Sequence, residues 1–562
     1  MSGEMMSIDT SGVVVSPGAG SWRVTAPMRD DNGNATLPTS FRRWWHFEVT
    51  GLDAPGGTTL DIAITRAGYS DIITPVWSLD GGLTYQRVPD VRPVFASQQH
   101  SFTITTPPGV DSIRLAKYFP YTLGMFDRFR DSVAGHPFVQ ERVIGQSGQG
   151  RDIVMHTLTD PTVPDADKRR VWVHAAVHPA ETPAIFMAEG LVGWLTGGSS
   201  EAQTLLGNTI VNVVTMANPD GVALGNYRTN AASVNLENQW AAPYTSTVPE
   251  IVALRGAIEG FMGTATAPGA NPITLLLNLH ASHGGGYPFH FIHQASYPTS
   301  GVTAEVRALE DRWVAALKGR SEFAALRATD PVSTLSGRPF VESMMHDRYT
   351  LLPAWDPVMA ITFEGTYELG PIAGVPNTPD DYRRLGADMG LAIADYYDVD
   401  LTPVPIVLFA ASGDTRSQSA AGHPLMSGEL TVRKLGGGTV VLDAINLNSG
   451  GILVEEGTLA VASLTAVASS RWIEVVAGAQ LDVSALASGL VPGSDRVLSG
   501  DGRVLGSAIF GHGATLSPGT VAASARVHPV PEPPAGTTAW LALGGMLAGR
   551  RSRRRFVADL WG

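Results

Sequence analysis

Apolar and polar positions change rhythm repeatedly along this 562-residue chain, and each change predicts a different architecture. Up to about residue 118 the apolar residues alternate or cluster in short β-forming runs, at 44–49 (WWHFEV), 59–64, 101–105 (SFTIT) and 113–118. Asp80-Gly81-Gly82 supplies a hairpin-turn signal between them. Residues 1–118 are therefore expected to form a small antiparallel β-sandwich. From 119 to 400, strand-like runs alternate with helical patterns, which predicts an α/β unit with a largely parallel, mixed sheet covered by helices. Within it, Thr182-Pro183 reads as an N-cap followed by proline at the first helical position, opening a helix through about Leu195. Residues 379–397 read as a closing helix. The Pro-, Ser-, Ala- and Gly-bearing stretch 401–425 reads as a linker. Over 426–520 short β runs are punctuated by a glycine two or three residues before a leucine, as at Gly457/Leu459, Gly478/Leu481 and Gly513/Leu516. That loose repeat predicts a small C-terminal β-solenoid with stacked apolar faces and no chemistry of its own. The last stretch, 521–562, holds Pro531-Glu532-Pro533, a mostly apolar run at 535–549, and then Arg550, Arg551, Arg553, Arg554 and Arg555. Its apolar run is short for a membrane-spanning helix, which needs about 20 residues.

Composition narrows the partners. A hydrophobic content of 44% allows substantial cores, and a net charge of −13 argues against a nucleic-acid partner, which would want a basic face. The chain has no cysteine, which removes disulfides, thiolate metal sites and a cysteine nucleophile. Its first twenty residues hold neither a basic segment nor a long apolar core, so no secretory signal is expected there.

Candidate chemistry gathers at predicted strand ends. His178 and Glu181 stand three positions apart just past the apolar run that starts at Val171, a spacing that lets both side chains reach one metal ion. His280 ends a second apolar run that starts at Ile273, and Glu364 ends a third that starts at Val358. In open α/β sheets, ligands bind just outside the carboxyl ends of strands. Two histidines and one carboxylate with an open fourth position make a catalytic zinc shell, and the further glutamate is a candidate base. His174 reads as a core or supporting histidine. His283, His290 and His293, beside Gly284–Gly286, read as loop residues that bind nothing.

In combination, these residues resemble the zinc carboxypeptidase family, in its cytosolic-carboxypeptidase-like branch, over residues 120–399. The motifs are His178/Glu181, Asn218-Pro219-Asp220-Gly221, Gly225-Asn226-Tyr227-Arg228, Leu279-His280 and Thr362-Phe363-Glu364. Phe119-Pro120-Tyr121-Thr122 is similar to the segment that closes that branch's N-terminal β-sandwich. The resemblance implies one zinc ion on His178, Glu181 and His280, Glu364 as general base, Arg228 on the scissile carbonyl, and a peptide or cell-wall-peptide substrate. The turn Asn218–Gly221 is expected to shape the site without touching substrate, its aspartate making a local backbone bond. One departure stands out. Where the family reads D-L-N-R-x-W and grips the terminal carboxylate with its Asn-Arg pair, this chain reads Asn235-Leu236-Glu237-Asn238-Gln239-Trp240. A carboxylate repels a carboxylate, and losing the guanidinium removes a bidentate clamp. Glu237 and Asn238 are expected to line the substrate pocket, with Glu237 suited to an amine or merely solvated. Tyr349 is the candidate for the family's proton-shuttling tyrosine. The alternatives are a catalytically weak surface binding protein and a zinc amidase or deacylase on the same fold. The solenoid resembles autotransporter-associated β-strand repeats, and the tail resembles a PEP-CTERM sorting signal. Both imply export to the cell envelope, with transient membrane contact through the tail. A misassigned start codon would account for the missing signal, and a cytoplasmic location is the alternative.

Overall fold

The computed structural model describes residues 4–529 apart from 53, 283–288, 294–302, 322–331, 335–339, 371–374, 402–405, 424–425, 429–430, 491–495, 511–514 and 517–525. Its central sheet has eight strands: β1 (Val139–Gln146), β2 (Asp152–Leu158), β3 (Arg169–His174), β4 (Thr209–Val214), β5 (Ile273–Ser282), β6 (Phe289–His293), β7 (Val332–Thr334) and β8 (Met359–Thr366). They lie in the order β1-β2-β4-β3-β5-β8-β6-β7. The middle four, β4-β3-β5-β8, are mutually parallel, and antiparallel pairs flank them. Parallel strands buried on both faces need apolar side chains on both faces. Accordingly, β4 is buried at every position, although its sequence, TIVNVV, includes two polar residues.

Helices cover both faces. On one face, beside α4 (Ala304–Arg320), α1 (Thr182–Thr196) packs against α5 (Pro379–Tyr396). Their backbones approach so closely that a Cβ on Gly190 would lie 2.1 Å from the Arg383 carbonyl oxygen, and one on Gly386 would lie 2.0 Å from that of Met187. Only glycine fits at either position. Thr378 and Asp381 form a capping box around Pro379, which stops α5 from fraying where it begins. On the other face, α3 (Pro249–Met262) buries Ile251, Leu254 and Ile258 against Trp172, Leu276 and Ala360.

Before this unit, two smaller sheets share one core in which Val24, Ile62 and Phe102 of the first meet Phe47, Trp77 and Leu115 of the second. The arrangement is not wholly antiparallel, as the alternation had suggested. Trp22–Pro27 and Thr59–Thr65 pair in parallel, because the chain between them crosses to the other sheet through His46–Thr50.

After α5, two ladders of short strands run wholly in parallel, Ile406–Phe409 through Thr515–Leu516 and Thr415–Ser417 through Arg503–Leu505. Leu408, Val440, Leu459 and Leu481 bury their side chains between the ladders. The stretch expected to be a linker, 401–425, already holds the first strand of each ladder. Its apolar alternation is only four residues long (Ile406–Phe409) and is hidden among Pro, Ser and Gly. The apolar run 535–549 and the arginine cluster lie outside the described residues. Among the described residues no helix is long and apolar enough to cross a membrane.

Candidate metal centre and active site

The carboxyl ends of β3, β5 and β8 meet at one edge of the central sheet. After His174 the chain turns through Ala176, whose φ of 59° is a left-handed conformation rare for a residue with a Cβ. That turn brings His178 back towards β5. Glu181 is the N-cap of α1, one residue earlier than the sequence suggested, and its carboxylate caps nothing. It is turned to the histidines instead, while the Thr182 hydroxyl donates to the Phe119 carbonyl at 2.6 Å.

His178, Glu181 and His280 are all buried, and their donor atoms lie within 4.8 Å of one another. His178 Nδ1 is 2.9 Å from Glu181 Oε1, His280 Nδ1 is 2.8 Å from Oε2, and the two Nδ1 atoms are 3.1 Å apart. The outer nitrogens are engaged as well. His178 Nε2 donates to Asn235 Oδ1 at 3.0 Å, and His280 Nε2 to Glu237 Oε2 at 3.2 Å. Oxygen acceptors behind metal-binding histidines fix the tautomer, leaving the inner nitrogens as ligands. The residues therefore fit one zinc ion: a buried donor set of two histidines and one glutamate, its imidazoles braced from behind. Burial would raise the Glu181 carboxyl, but His178 and His280 outweigh it and hold the acid well below the ordinary range.

Glu237 is the main correction. The sequence placed it in the substrate pocket, but it is buried, binds His280, and accepts from Asn278 Nδ2 at 2.9 Å. Its carboxylate is therefore not solvated and lies against the imidazole of a candidate metal ligand. Behind it Glu342 receives hydrogen bonds from Asn278, at 3.4 Å, and from the Thr362 hydroxyl. Burial first, and then the Glu237 charge, push Glu342 up to about 7. Replacing Glu237 by Gln keeps the shape and removes the charge, so zinc affinity should fall about 10–100-fold. Competition with a chromophoric chelator measures this, and an unchanged affinity would mean that the carboxylate does not support the ligand.

Glu364 lies on β8, paired across the ladder with His280 on β5. Its Oε2 is buried without a hydrogen-bond partner among the described residues. Arg228 follows α2 (Pro219–Leu224) and its left-handed C-cap, Gly225. Its Nη1 is 3.5 Å from Glu181 Oε1, and the guanidinium carbon lies 5.7 Å from the centre of the Phe41 ring. Burial weakens its hold on its proton, but Glu181, Tyr227, Glu364 and Tyr367 together outweigh that and raise its pKa.

The remaining candidates lie elsewhere. Asn238 is exposed. Tyr349 does not join the cluster; its ring packs against Trp355, 5.7 Å between centres, in the core beneath α3. His174 Nδ1 accepts from Trp172 Nε1 at 2.9 Å, and burial lowers the imidazole to about 4, so it stays neutral in the core. His283 lies outside the described residues, and His290 and His293 are described only as part of β6. Asn218 caps α2 through the Gly221 N–H, but the Asp220 bond is not local. Its carboxylate ties down the turn at 147–151, through Ser147 Oγ, Gln149 N and Arg151 Nη1, each at 2.7 Å. Sequence reasoning quoted Asn235 inside a motif without giving it a role, and gave none to Asn278, the residue before the Leu279-His280 motif. For Glu342 there was no signal at all, because it sits in a short helix, Val341–Met345, far from any motif.

Fold and site together define a metallocarboxypeptidase-like hydrolase. Residues 128–290 match the family model of zinc carboxypeptidases, a span that includes all three metal-binding candidates and stops before Glu364. Cytosolic carboxypeptidase 6 of Mus musculus is 24% identical over 388 residues, covering 64% of this chain and 68% of that protein. A metallo-carboxypeptidase structure from Burkholderia cenocepacia superposes with a TM-score of 0.57 at 24% identity, covering 70% of this chain and 97% of the other. One from Pseudomonas aeruginosa, in complex with (2-guanidinoethylmercapto)succinic acid, gives 0.55 at 23% identity, covering 71% and 98%.

Proposed function

We propose that the protein hydrolyses peptide bonds at one zinc ion held by His178, Glu181 and His280. The observation that supports this most is the convergence of that braced donor set with a carboxylate, Glu364, on the adjoining strand, whose Oε2 has no hydrogen-bond partner among the described residues. Zinc bound there supplies Lewis acidity, which polarises a carbonyl and acidifies water. Glu364 takes the proton from the attacking water and passes it to the leaving amine. Arg228, permanently charged, steadies the carbonyl oxygen as it gains negative charge. Glu237 and Asn235 hold the two imidazoles at the angle this requires.

The substrate is a peptide whose end is read loosely. Asn238 stands where the resemblance calls for a clamping arginine, and Glu237 is committed to His280, so this pair offers no grip on a terminal carboxylate. Zinc-loaded protein should therefore turn over C-terminally free and amidated versions of one peptide at rates within about tenfold, because no bidentate clamp rewards the free acid. Absence of hydrolysis across a peptide panel would overturn the peptidase reading and favour the weak binding protein. Activity confined to N-acyl amino acids would favour the amidase alternative. A strong preference for the free acid would overturn only the loose end-recognition. The relatives' name, cytosolic, supports the cytoplasmic alternative for location over export. The parallel ladders after residue 406 support a β-solenoid reading for that stretch, with no chemistry of its own.

A further inference from the structure

Arg228 sits on a loop, and loops place side chains loosely unless something holds the backbone. Here the hold comes from outside the central sheet. Asp31, in the turn that follows Trp22–Pro27, is 2% exposed. Its Oδ1 accepts from the Tyr227 N–H at 2.7 Å. Its Oδ2 accepts from the Arg228 and Thr229 N–H groups, both at 2.8 Å, and from the Thr229 hydroxyl at 3.1 Å. Three successive backbone donors converging on one carboxylate leave the intervening dihedral angles little freedom. Asn32 adds a second tie: its N–H donates to Asn226 Oδ1 at 3.0 Å, and Asn226 Nδ2 donates back to its Oδ1 at 2.8 Å.

We propose that Asp31 is a positioning residue for Arg228, so that the N-terminal sheet region supplies part of the machinery that aims the guanidinium at the metal-binding cluster. The inference rests on the role given to Arg228 above. A carboxylate suits the task because it presents only acceptors. An amide would turn one NH2 group onto N–H groups that already donate. The loop would then lose at least one of its ties, and the guanidinium its fixed aim at the reacting carbonyl. Misplacement of such a group by about 1 Å costs on the order of 10²-fold in rate.

A kinetic double-mutant cycle over wild type, Asp31→Asn, Arg228→Ala and the double variant tests this, with zinc content measured on all four. Asp31→Asn is expected to lower kcat by about 10²-fold, with KM within about threefold of wild type and a full complement of zinc. Added to Arg228→Ala, it should cost nothing more. Penalties that multiply would show a merely structural role and overturn the inference, as would wild-type kcat in Asp31→Asn. Wild-type kcat in Arg228→Ala would instead overturn the role of Arg228 itself. Should Asp31→Asn not fold, Asn32→Gly keeps the carboxylate, tolerates the left-handed backbone at that position (φ 55°) and removes the side-chain half of the second tie. A smaller kcat loss that vanishes in the Arg228→Ala background supports the inference, and wild-type kcat there overturns it.

Discussion

Replacing Glu364 with Gln is expected to lower kcat on a peptide by about 10²–10⁴-fold, while the protein folds and still takes up one zinc ion. Gln keeps the shape of the side chain but cannot accept a proton. The environment of Glu364 suits the base role proposed for it. Its Oε2 is enclosed without a hydrogen-bond partner among the described residues. Burial, followed by the Glu181 charge, pushes its carboxyl from the ordinary 4.5 up to about 7. A base must be ionised to act, so kcat/KM should decline as pH falls through a value between 4.5 and 7, the cationic metal pulling it towards the lower end. The Gln variant should lack that acid limb. The stability consequence has the opposite sign. A carboxyl whose pKa is higher folded than unfolded binds its proton more tightly when folded. The charged form therefore destabilises the fold increasingly as pH rises from 4.5 to 7, and fully above it. Metal-free Gln variant at pH 8 should melt no lower than wild type. Wild-type turnover in this variant would remove Glu364 from the base role.

The candidate metal ligands were legible because they stand at or just past the carboxyl ends of apolar strands: His178 and Glu181 follow β3, and His280 lies near the end of β5. Parallel strands with both faces buried leave their polar chemistry to their carboxyl ends, so His280 and Glu364 stood out against ITLLLNL and VMAITF. What the sequence misplaced depended on orientation. Glu237 lies in a short 3-10 turn, Leu236–Gln239, where one residue of rotation decides between substrate and His280. The true N-cap of α1 was missed for a related reason. Glu181 is a poor cap by propensity, and it occupies that position because its carboxylate is needed behind the helix end, between two imidazoles. Asp31 was invisible, since 196 residues separate it from Tyr227 and a lone aspartate in a turn has many local uses. Local pattern reports strands and helices; contacts closed only by the tertiary fold leave no periodicity to read.

Removing one ligand, as in His280→Ala, or stripping the ion with a chelator, is expected to take activity to the buffer background, a loss at least as large as that of the Glu364 variant. Metal binding should also be linked to the loss of a proton. His280 has a carboxylate at each nitrogen, Glu181 at 2.8 Å and Glu237 at 3.2 Å, and both favour the protonated imidazole. Burial alone would lower its pKa, but the two carboxylates outweigh it and hold the imidazole well above the ordinary range. Ligation needs the Nδ1 lone pair, so uptake of zinc must expel that proton. Calorimetry in buffers of different ionisation heat should show release of about one proton per ion near neutral pH. Affinity should climb with pH and level off once His280 is neutral without metal. Because its folded pKa is raised, protonated His280 stabilises the metal-free fold fully below its unfolded pKa near 6.5 and loses that contribution as pH rises through the folded value. At a fixed zinc concentration the stabilisation on adding zinc should therefore grow with pH, reaching about 4 kcal/mol where zinc stands at a thousandfold excess over the apparent Kd. Zinc uptake without proton release would contradict the doubly protonated imidazole, and turnover that survives exhaustive chelation would contradict the metal-dependent reaction itself.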